Sequence, residues 1–163
     1  MVLAEVTFYN VVLFFHIAAV VLAFGPTYAY GVFQAAAMKH NPRAIPAINR
    51  GIEAWNRVTA ILLVVIIAAG LYLVEDGGWS YGDFYISFGF AAAIIMGGLI
   101  GAFFNPKTRQ ITEVAERDVA ASGDGEVEFS EEFNRLVKQT TQVGTFAGLL
   151  VLVTIYVMTA KPF

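Results

Sequence analysis

The chain has 163 residues, of which 58% are hydrophobic and 14% charged, and its mean hydropathy is +0.66. A soluble domain of this length carries roughly a quarter charged residues, so the composition excludes an ordinary soluble domain and favours one membrane domain. The absence of cysteine excludes disulfides, thiolate metal sites and thiol redox chemistry, and the formal charge of −3 argues against a nucleic-acid partner.

Four apolar stretches are long enough to cross a bilayer, whose core of about 30 Å requires about 20 helical residues. The predicted spans cover about residues 6–37, 52–74, 84–104 and 131–159. Their apolar runs are continuous rather than alternating, so a β-barrel is not expected. The sequence therefore predicts an all-α fold, a bundle of four transmembrane helices.

Proline marks several expected breaks in these helices. Gly25-Pro26 predicts a kink inside the first helix, and Asn41-Pro42 and Asn105-Pro106 are expected to end the first and third helices. An amphipathic helix is predicted at about residues 107–121, packing on the extension of the fourth helix. Ser130 is expected to be the N-cap of the fourth helix.

Nine of the ten basic residues lie in, or at the helix ends next to, the two connections that join the first helix to the second and the third to the fourth. Lys161 is the one basic residue on the opposite side, where aromatic residues cluster as at a membrane interface. By the positive-inside rule both connections are expected to be cytoplasmic. The protein is then a multi-pass protein of the cell inner (plasma) membrane, with both termini outside.

Small residues recur at spacings of four along the third and fourth helices. The third helix carries a ridge of Gly89, Ala93, Gly97 and Gly101, and the fourth carries Gly144 and Gly148. Small residues let helices approach closely within lipid. Packing of the third helix against the fourth is expected, and the alternative is a homodimer through the ridge on the third helix.

A polar stripe runs along one face of the otherwise apolar first helix. Tyr9, Thr27, Tyr30 and Gln34 lie within about 40° of His16 at 100° per residue. The stripe is expected to face the interior of the bundle, because lipid would leave its polar groups without partners. Its residues are therefore the candidate binding site.

His16 is the candidate centre of that site, since an ionisable side chain at mid-membrane depth is a functional candidate. Its roles could be haem or metal ligand, proton relay or substrate hydrogen bonding. The structural alternative is a neutral imidazole hydrogen-bonded to a neighbouring helix. A haem would need a second axial ligand such as Met96 or Met158, a second subunit or a five-coordinate iron.

The second and fourth helices also carry polar residues at the ends next to the basic connections. Asn56 and Thr59 form an edge on the second helix, and residues 139–142 and Thr145 make the start of the fourth helix polar. Together with Gln34 they could line a vestibule open to the cytoplasm, or they could be ordinary solvated helix ends. The spans contain no clear catalytic constellation, so an enzyme is not favoured.

Three features carry a resemblance to known families: His16 followed by the break at Pro26, the polar corner between the first two helices, and the closing residues 156–162. They resemble a bacterial family of four-helix integral membrane proteins of unknown function. The same first-helix motif is distantly similar to the copper-resistance D proteins and to the membrane protoporphyrinogen oxidase of bacterial haem synthesis. The latter resemblance implies haem bound at His16.

Three functional hypotheses remain open. The first is a binding protein that holds a small ligand, haem or metal in the bundle core near His16. The second is a small transporter or channel component that uses the polar stripe as its path. The third is a structural or accessory subunit of a membrane assembly.

Overall fold

The computed structural model describes residues 7–161, and every regular element in this range is helical. The helices are α1 (Phe8–Phe24), α2 (Thr27–His40), α3 (Ile45–Asp76), α4 (Phe84–Gly98), α5 (Asn105–Ala121) and α6 (Glu131–Ala160). A 3₁₀ turn, Pro42–Ala44, precedes α3, and a π-helical segment, Leu99–Phe104, joins α4 to α5. The predicted start of the first span at residue 6, and Pro162 of the closing motif, lie outside the described residues.

Within residues 7–161, four helical stretches are long and apolar enough to cross a membrane. They are Phe8–His40, Pro42–Asp76, Phe84–Ala121 and Glu131–Ala160. The predicted all-α bundle with four apolar helices is thereby confirmed. Ser130 caps α6 as predicted, because its hydroxyl accepts a hydrogen bond from the Phe133 N–H at 3.3 Å.

The predicted kink at Gly25-Pro26 is confirmed, since α1 ends at Phe24 and α2 begins at Thr27. Carbonyl groups near the break find side-chain donors: Thr59 Oγ1 donates to the Ala23 carbonyl at 3.2 Å, and Thr27 Oγ1 donates to the Phe24 carbonyl at 2.6 Å. Gly25 is required at this place. A Cβ on it would lie 2.6 Å from the backbone oxygen of Val21.

Both Asn-Pro pairs were predicted to end a helix, but only one of them does so. Asn41 has φ −154° and ψ 78°, so Asn41-Pro42 ends the first helical stretch as predicted. The prediction that Asn105-Pro106 ends the third helix is wrong, because helical backbone continues through Pro106 into α5. A helical proline clashes with the carbonyl four residues earlier. That carbonyl belongs to Ala102, which lies in the π-helical segment, where the wider turns make room for the ring.

Apolar packing is divided into three clusters along the bundle. We call the end where α3 and α6 begin the basic end, and the opposite end the far end. The far-end cluster consists of Val74, Tyr85, Ile86 and Val157. The middle cluster consists of Ala19, Ala23, Phe24, Leu63, Ile66, Met96, Ile100, Ala147 and Val151. The basic-end cluster consists of Ala37, Ile45, Ile111, Val114, Ala115, Phe133 and Leu136, which confirms that α5 packs on the start of α6.

Polar contacts brace the basic end. Arg43 follows α2 and donates to the backbone oxygens of Gly123 and Gly125, at 2.6 and 2.7 Å, in the turn between α5 and α6. Asp118 on α5 accepts hydrogen bonds from the backbone N–H and hydroxyl of Ser130, at 2.9 and 2.7 Å. A hydrogen bond of 2.5 Å from Thr112 Oγ1 on α5 to Glu53 Oε1 ties α5 to α3. The two connections are therefore fastened to each other.

Two glycines of the small-residue ridge on the third apolar helix contact side chains of other helices in the same chain. A Cβ on Gly89 would overlap the terminal methyl of Met158 on α6, and one on Gly97 would lie 3.2 Å from Leu63 Cδ2 on α3. On α6, Gly148 faces Tyr28 of α2, whereas a Cβ on Gly144 would meet open space. The third apolar helix therefore packs on the fourth at Gly89, where the flexible end of Met158 lies against it. The homodimer stays a prediction.

Candidate ligand cavity

A cavity of about 440 Å³ lies between the middle and basic-end clusters. Its walls come from α2, α3, α5, α6, the π-helical segment and the adjoining ends of α1 and α4. Ligand pockets are typically about 300–1,000 Å³, so this volume suits a small molecule or the head of a larger one. The apolar side chains of Phe24, Met96 and Ile100 cover it on the side of the middle cluster.

Polar side chains from four helices converge on this cavity. They are Thr27, Tyr30 and Gln34 on α2, Asn49, Asn56 and Thr59 on α3, Thr108 on α5, and Thr140, Thr141 and Thr145 on α6. Asn49 has no exposed surface, and Asn56 retains only 8%. Gln34 Nε2 donates to Asn49 Oδ1 at 2.8 Å, which joins α2 to α3 at the cavity wall.

Several of these groups have no hydrogen-bond partner in the protein. The buried atoms without one, among the residues that the structure describes, are Tyr30 Oη, Asn49 Nδ2, Trp55 Nε1, Asn56 Nδ2 and Thr140 Oγ1. All of these except the Trp55 atom belong to residues that line the cavity. Each unsatisfied buried group costs about 1–3 kcal/mol, so four would consume much of the roughly 5–15 kcal/mol stability of a typical protein. An occupant of the cavity, water or ligand, would supply a partner to those of these atoms that face it.

The chemistry of the wall is uncharged. None of the described residues that line the cavity is Asp, Glu, Lys, Arg or His. Two of the unpartnered atoms are amide donors, and the other two are hydroxyls that can donate or accept. A ligand that complements this wall carries no net charge, because the wall offers no counter-ion. It also presents oxygen atoms that accept hydrogen bonds from these donors.

The π-helical segment Leu99–Phe104 forms part of the wall through Ile100 and Phe104. Single turns of π-helix are rare and are found frequently at functional sites. Here the wider turn also lets the third apolar helix continue past Pro106, so that Thr108 on α5 lies in the same wall.

His16 lies away from the cavity. Its Nδ1 is 3.0 Å from the backbone oxygen of Ile66 on α3, so a proton on Nδ1 is donated to that carbonyl. Gly70 on α3 lies beside the imidazole, and a Cβ there would be in ordinary contact with His16 Cε1 at 3.5 Å. This contact is the hydrogen bond to a neighbouring helix that the structural alternative requires, and it holds for either protonation state.

The structure does not bring His16 to the cavity, whereas Met96, named as a possible second axial ligand, lines it. Haem bound at His16 stays a prediction. Met158 lies beside Gly89 on α4. Among the described residues, no group of three or more His, Asp or Glu side chains could hold a metal ion.

The predicted polar stripe is thus divided. Thr27, Tyr30 and Gln34 line the cavity, whereas Tyr9 and His16 do not. Asn56, Thr59, Thr140, Thr141 and Thr145, predicted as a vestibule together with Gln34, also line it. The sequence analysis missed Asn49 and Thr108. Asn49 lies seven residues before Asn56 and hence on the same face of α3, which was a usable signal.

Comparison with known proteins agrees with this architecture. The family model described as "Predicted integral membrane protein (DUF2269)" matches residues 10–162, a range that includes every residue lining the cavity. No curated protein and no solved structure matches the chain. The chain therefore belongs to this family of predicted integral membrane proteins.

Proposed function

We propose that this protein is a membrane-embedded binding protein whose cavity holds an uncharged, oxygen-rich small molecule. The observation that carries the proposal is the convergence of four unpartnered buried polar atoms on one cavity without a charged side chain. Water could satisfy the same atoms, since a cavity of about 440 Å³ is large enough for several molecules. The mixed wall, polar on α3 and apolar at Phe24, Met96 and Ile100, is typical of ligand sites instead.

The cavity supports binding better than passage through the bundle. The middle cluster, including Leu63 and Ile66 on α3, packs between the cavity and the part of the bundle where His16 lies. The apolar side chains of the middle cluster interrupt the polar stripe, so the stripe does not form a continuous polar path.

The test is analysis of molecules that co-purify with the protein. Wild-type protein and the variants Asn56→Leu and Asn49→Leu are purified in detergent, extracted with organic solvent and analysed by mass spectrometry. We expect a neutral, oxygen-containing molecule at close to one equivalent in the wild type and at least a tenfold loss in the Asn56→Leu variant, because the apolar side chain removes an amide donor.

Thr154→Val is the matched control, since Thr154 Oγ1 bonds within its own helix to the Leu150 carbonyl at 2.7 Å and does not line the cavity. This variant should retain the molecule. A wild-type extract that contains no such molecule, or equal amounts from the wild type and Asn56→Leu, would contradict the proposal and leave water as the occupant.

We also propose that the basic end faces the cytoplasm, so that both termini lie outside the inner membrane. The support is the charge distribution, with nine of ten basic residues in the two connections at that end or in the helix ends next to them. The chain lacks cysteine, so single cysteines can report accessibility. In intact cells, a membrane-impermeant maleimide should label Ser80→Cys at the far end and not Asp124→Cys at the basic end. The reverse pattern would overturn the orientation.

A further inference from the structure

The cavity has an opening on one side of the bundle. The exposed residues among those that line it are Tyr28, Gly31, Thr141, Thr145, Leu149 and Leu152. All six belong to α2 or α6, whereas the lining residues of α3, α4 and α5 are buried or half-buried. The mouth of the cavity is therefore the gap between α2 and α6.

This mouth is bordered by apolar surface. Leu149 and Leu152 on α6 are 58% and 51% exposed, and Phe146 on the same helix is 56% exposed. Surface of this kind on an apolar helix faces lipid acyl chains. Thr141 and Thr145 border the mouth nearer the basic end, so a molecule enters lipid where it passes Leu149 and Leu152.

One hydrogen bond bridges the mouth. Tyr28 Oη on α2 donates to the backbone oxygen of Gly148 on α6 at 2.8 Å. Gly148 permits this approach, because a Cβ there would lie 3.3 Å from the Tyr28 ring. Within the described range of α2, Ala37 is the one fully buried residue, so few packing contacts hold this helix against α6.

From these observations we infer that the ligand is an uncharged amphiphile that reaches the cavity from the bilayer through the gap between α2 and α6. This inference rests on the proposed function and identifies the class of ligand. The head, with carbonyl, ester or hydroxyl oxygens, binds at Asn49, Asn56, Tyr30 and Thr140. The apolar tail leaves past Leu149 and Leu152 into the surrounding lipid.

The alternative head chemistries are disfavoured by the wall. A phosphate or carboxylate head would lie in a cavity without a cation among its described lining residues, and an ammonium head would lie in one without a carboxylate. A glyceride and a prenylated quinone share the required chemistry, namely uncharged oxygen acceptors on an apolar tail. The experiment separates these two sources.

The probe is a monoacylglycerol that carries a diazirine in the middle of its acyl chain, added to the full-length protein in lipid nanodiscs. After illumination, labelled residues are mapped by mass spectrometry. We expect labelling of Tyr28, Leu149 and Leu152 to exceed that of Ile94, a 71% exposed residue of α4, by fivefold or more. The same chain on phosphatidylglycerol should label these sites and Ile94 evenly.

Glycine variants test the mouth without disturbing the fold. A Cβ at Gly144, which lines the cavity, or at Gly98 on α4, which does not, would have no other atom within 4 Å. Gly144→Leu should reduce the labelling at the mouth at least fivefold, and Gly98→Leu should leave it unchanged. Unlabelled monoacylglycerol and a prenylated benzoquinone are then compared as competitors, and the stronger one identifies the head. Competition by neither marks the labelling as non-specific and contradicts the inference.

Three results would overturn entry through the gap between α2 and α6. They are even labelling around the bundle, equal labelling of the mouth by the phosphatidylglycerol probe, and labelling that Gly144→Leu leaves unchanged. If Asn56→Leu still loses a co-purified molecule in that case, the cavity binds a ligand that arrives by another route, and the proposed function stands. If no molecule co-purifies, the proposed function fails, and specific labelling of the mouth then shows only that an added amphiphile can enter the cavity.

Discussion

Asn49 and Asn56 place amide groups in a part of the bundle where apolar side chains would pack more simply. Each loses favourable hydration on burial, and only the Asn49 oxygen has a side-chain partner, Gln34. Part of the cavity wall could be predicted from the residue types alone. Polar residues on α2 and α6 stood out from the apolar sequence, whereas Asn49 and Thr108 lie in polar segments where a buried side chain looks like a solvated one.

The Gln34–Asn49 pair gives a prediction about stability. Gln34→Leu should lower the free energy of unfolding by about 1–3 kcal/mol, because the fully buried amide of Asn49 then loses its partner. The double variant Gln34→Leu/Asn49→Leu should be less destabilised than the sum of the single variants, since it removes both polar groups. Denaturant titration in detergent measures all three, and strict additivity would contradict the pairing.

The position of His16 gives a second prediction. Because its imidazole bonds to Ile66 and does not line the cavity, the purified protein should show no Soret band. His16→Leu should retain the co-purified molecule that Asn56→Leu loses. A Soret band that disappears in His16→Leu would instead support the haem that the first-helix resemblance implies.

The two Asn-Pro pairs affect their helices differently, and the shared motif alone did not distinguish them. Asn41-Pro42 ends a helix, while helical backbone continues through Asn105-Pro106, directly after a π-helical segment whose wider turns accommodate the ring. Hydropathy predicted the existence of all four apolar helices, since a run of 20 apolar residues has few other solutions. The π-helical turn depends on tertiary packing and is not visible in residue types.

Thr59 gives a prediction for the kink between α1 and α2. Thr59→Val removes the donor to the Ala23 carbonyl next to the break while preserving shape, and should lower the free energy of unfolding by about 1–2 kcal/mol. Thr154→Val, with its hydroxyl bonded inside α6, is the control and should cost less. Equal losses in chemical denaturation would show that the Thr59 bond does not support the kink.

The whole molecule is held at its basic end by contacts between segments far apart in sequence. Arg43 donates from one guanidinium nitrogen to two carbonyls in the turn between α5 and α6. Arg43→Met, which removes both hydrogen bonds, should therefore increase the rate of proteolysis in residues 122–130 several-fold in detergent. Arg109→Met, which removes a pair with Glu113 inside α5, should not change that rate. Equal rates in both variants would contradict the role of Arg43.

The division of the apolar packing into clusters affects how the protein unfolds. The cavity interrupts side-chain packing between the middle and basic-end clusters, so the two can lose structure as separate cooperative units that hydrogen exchange would resolve. An occupant of the cavity contacts residues of both, and its binding free energy adds to the cost of opening either one. Occupancy thus decides whether the molecule behaves as one cooperative unit or as two.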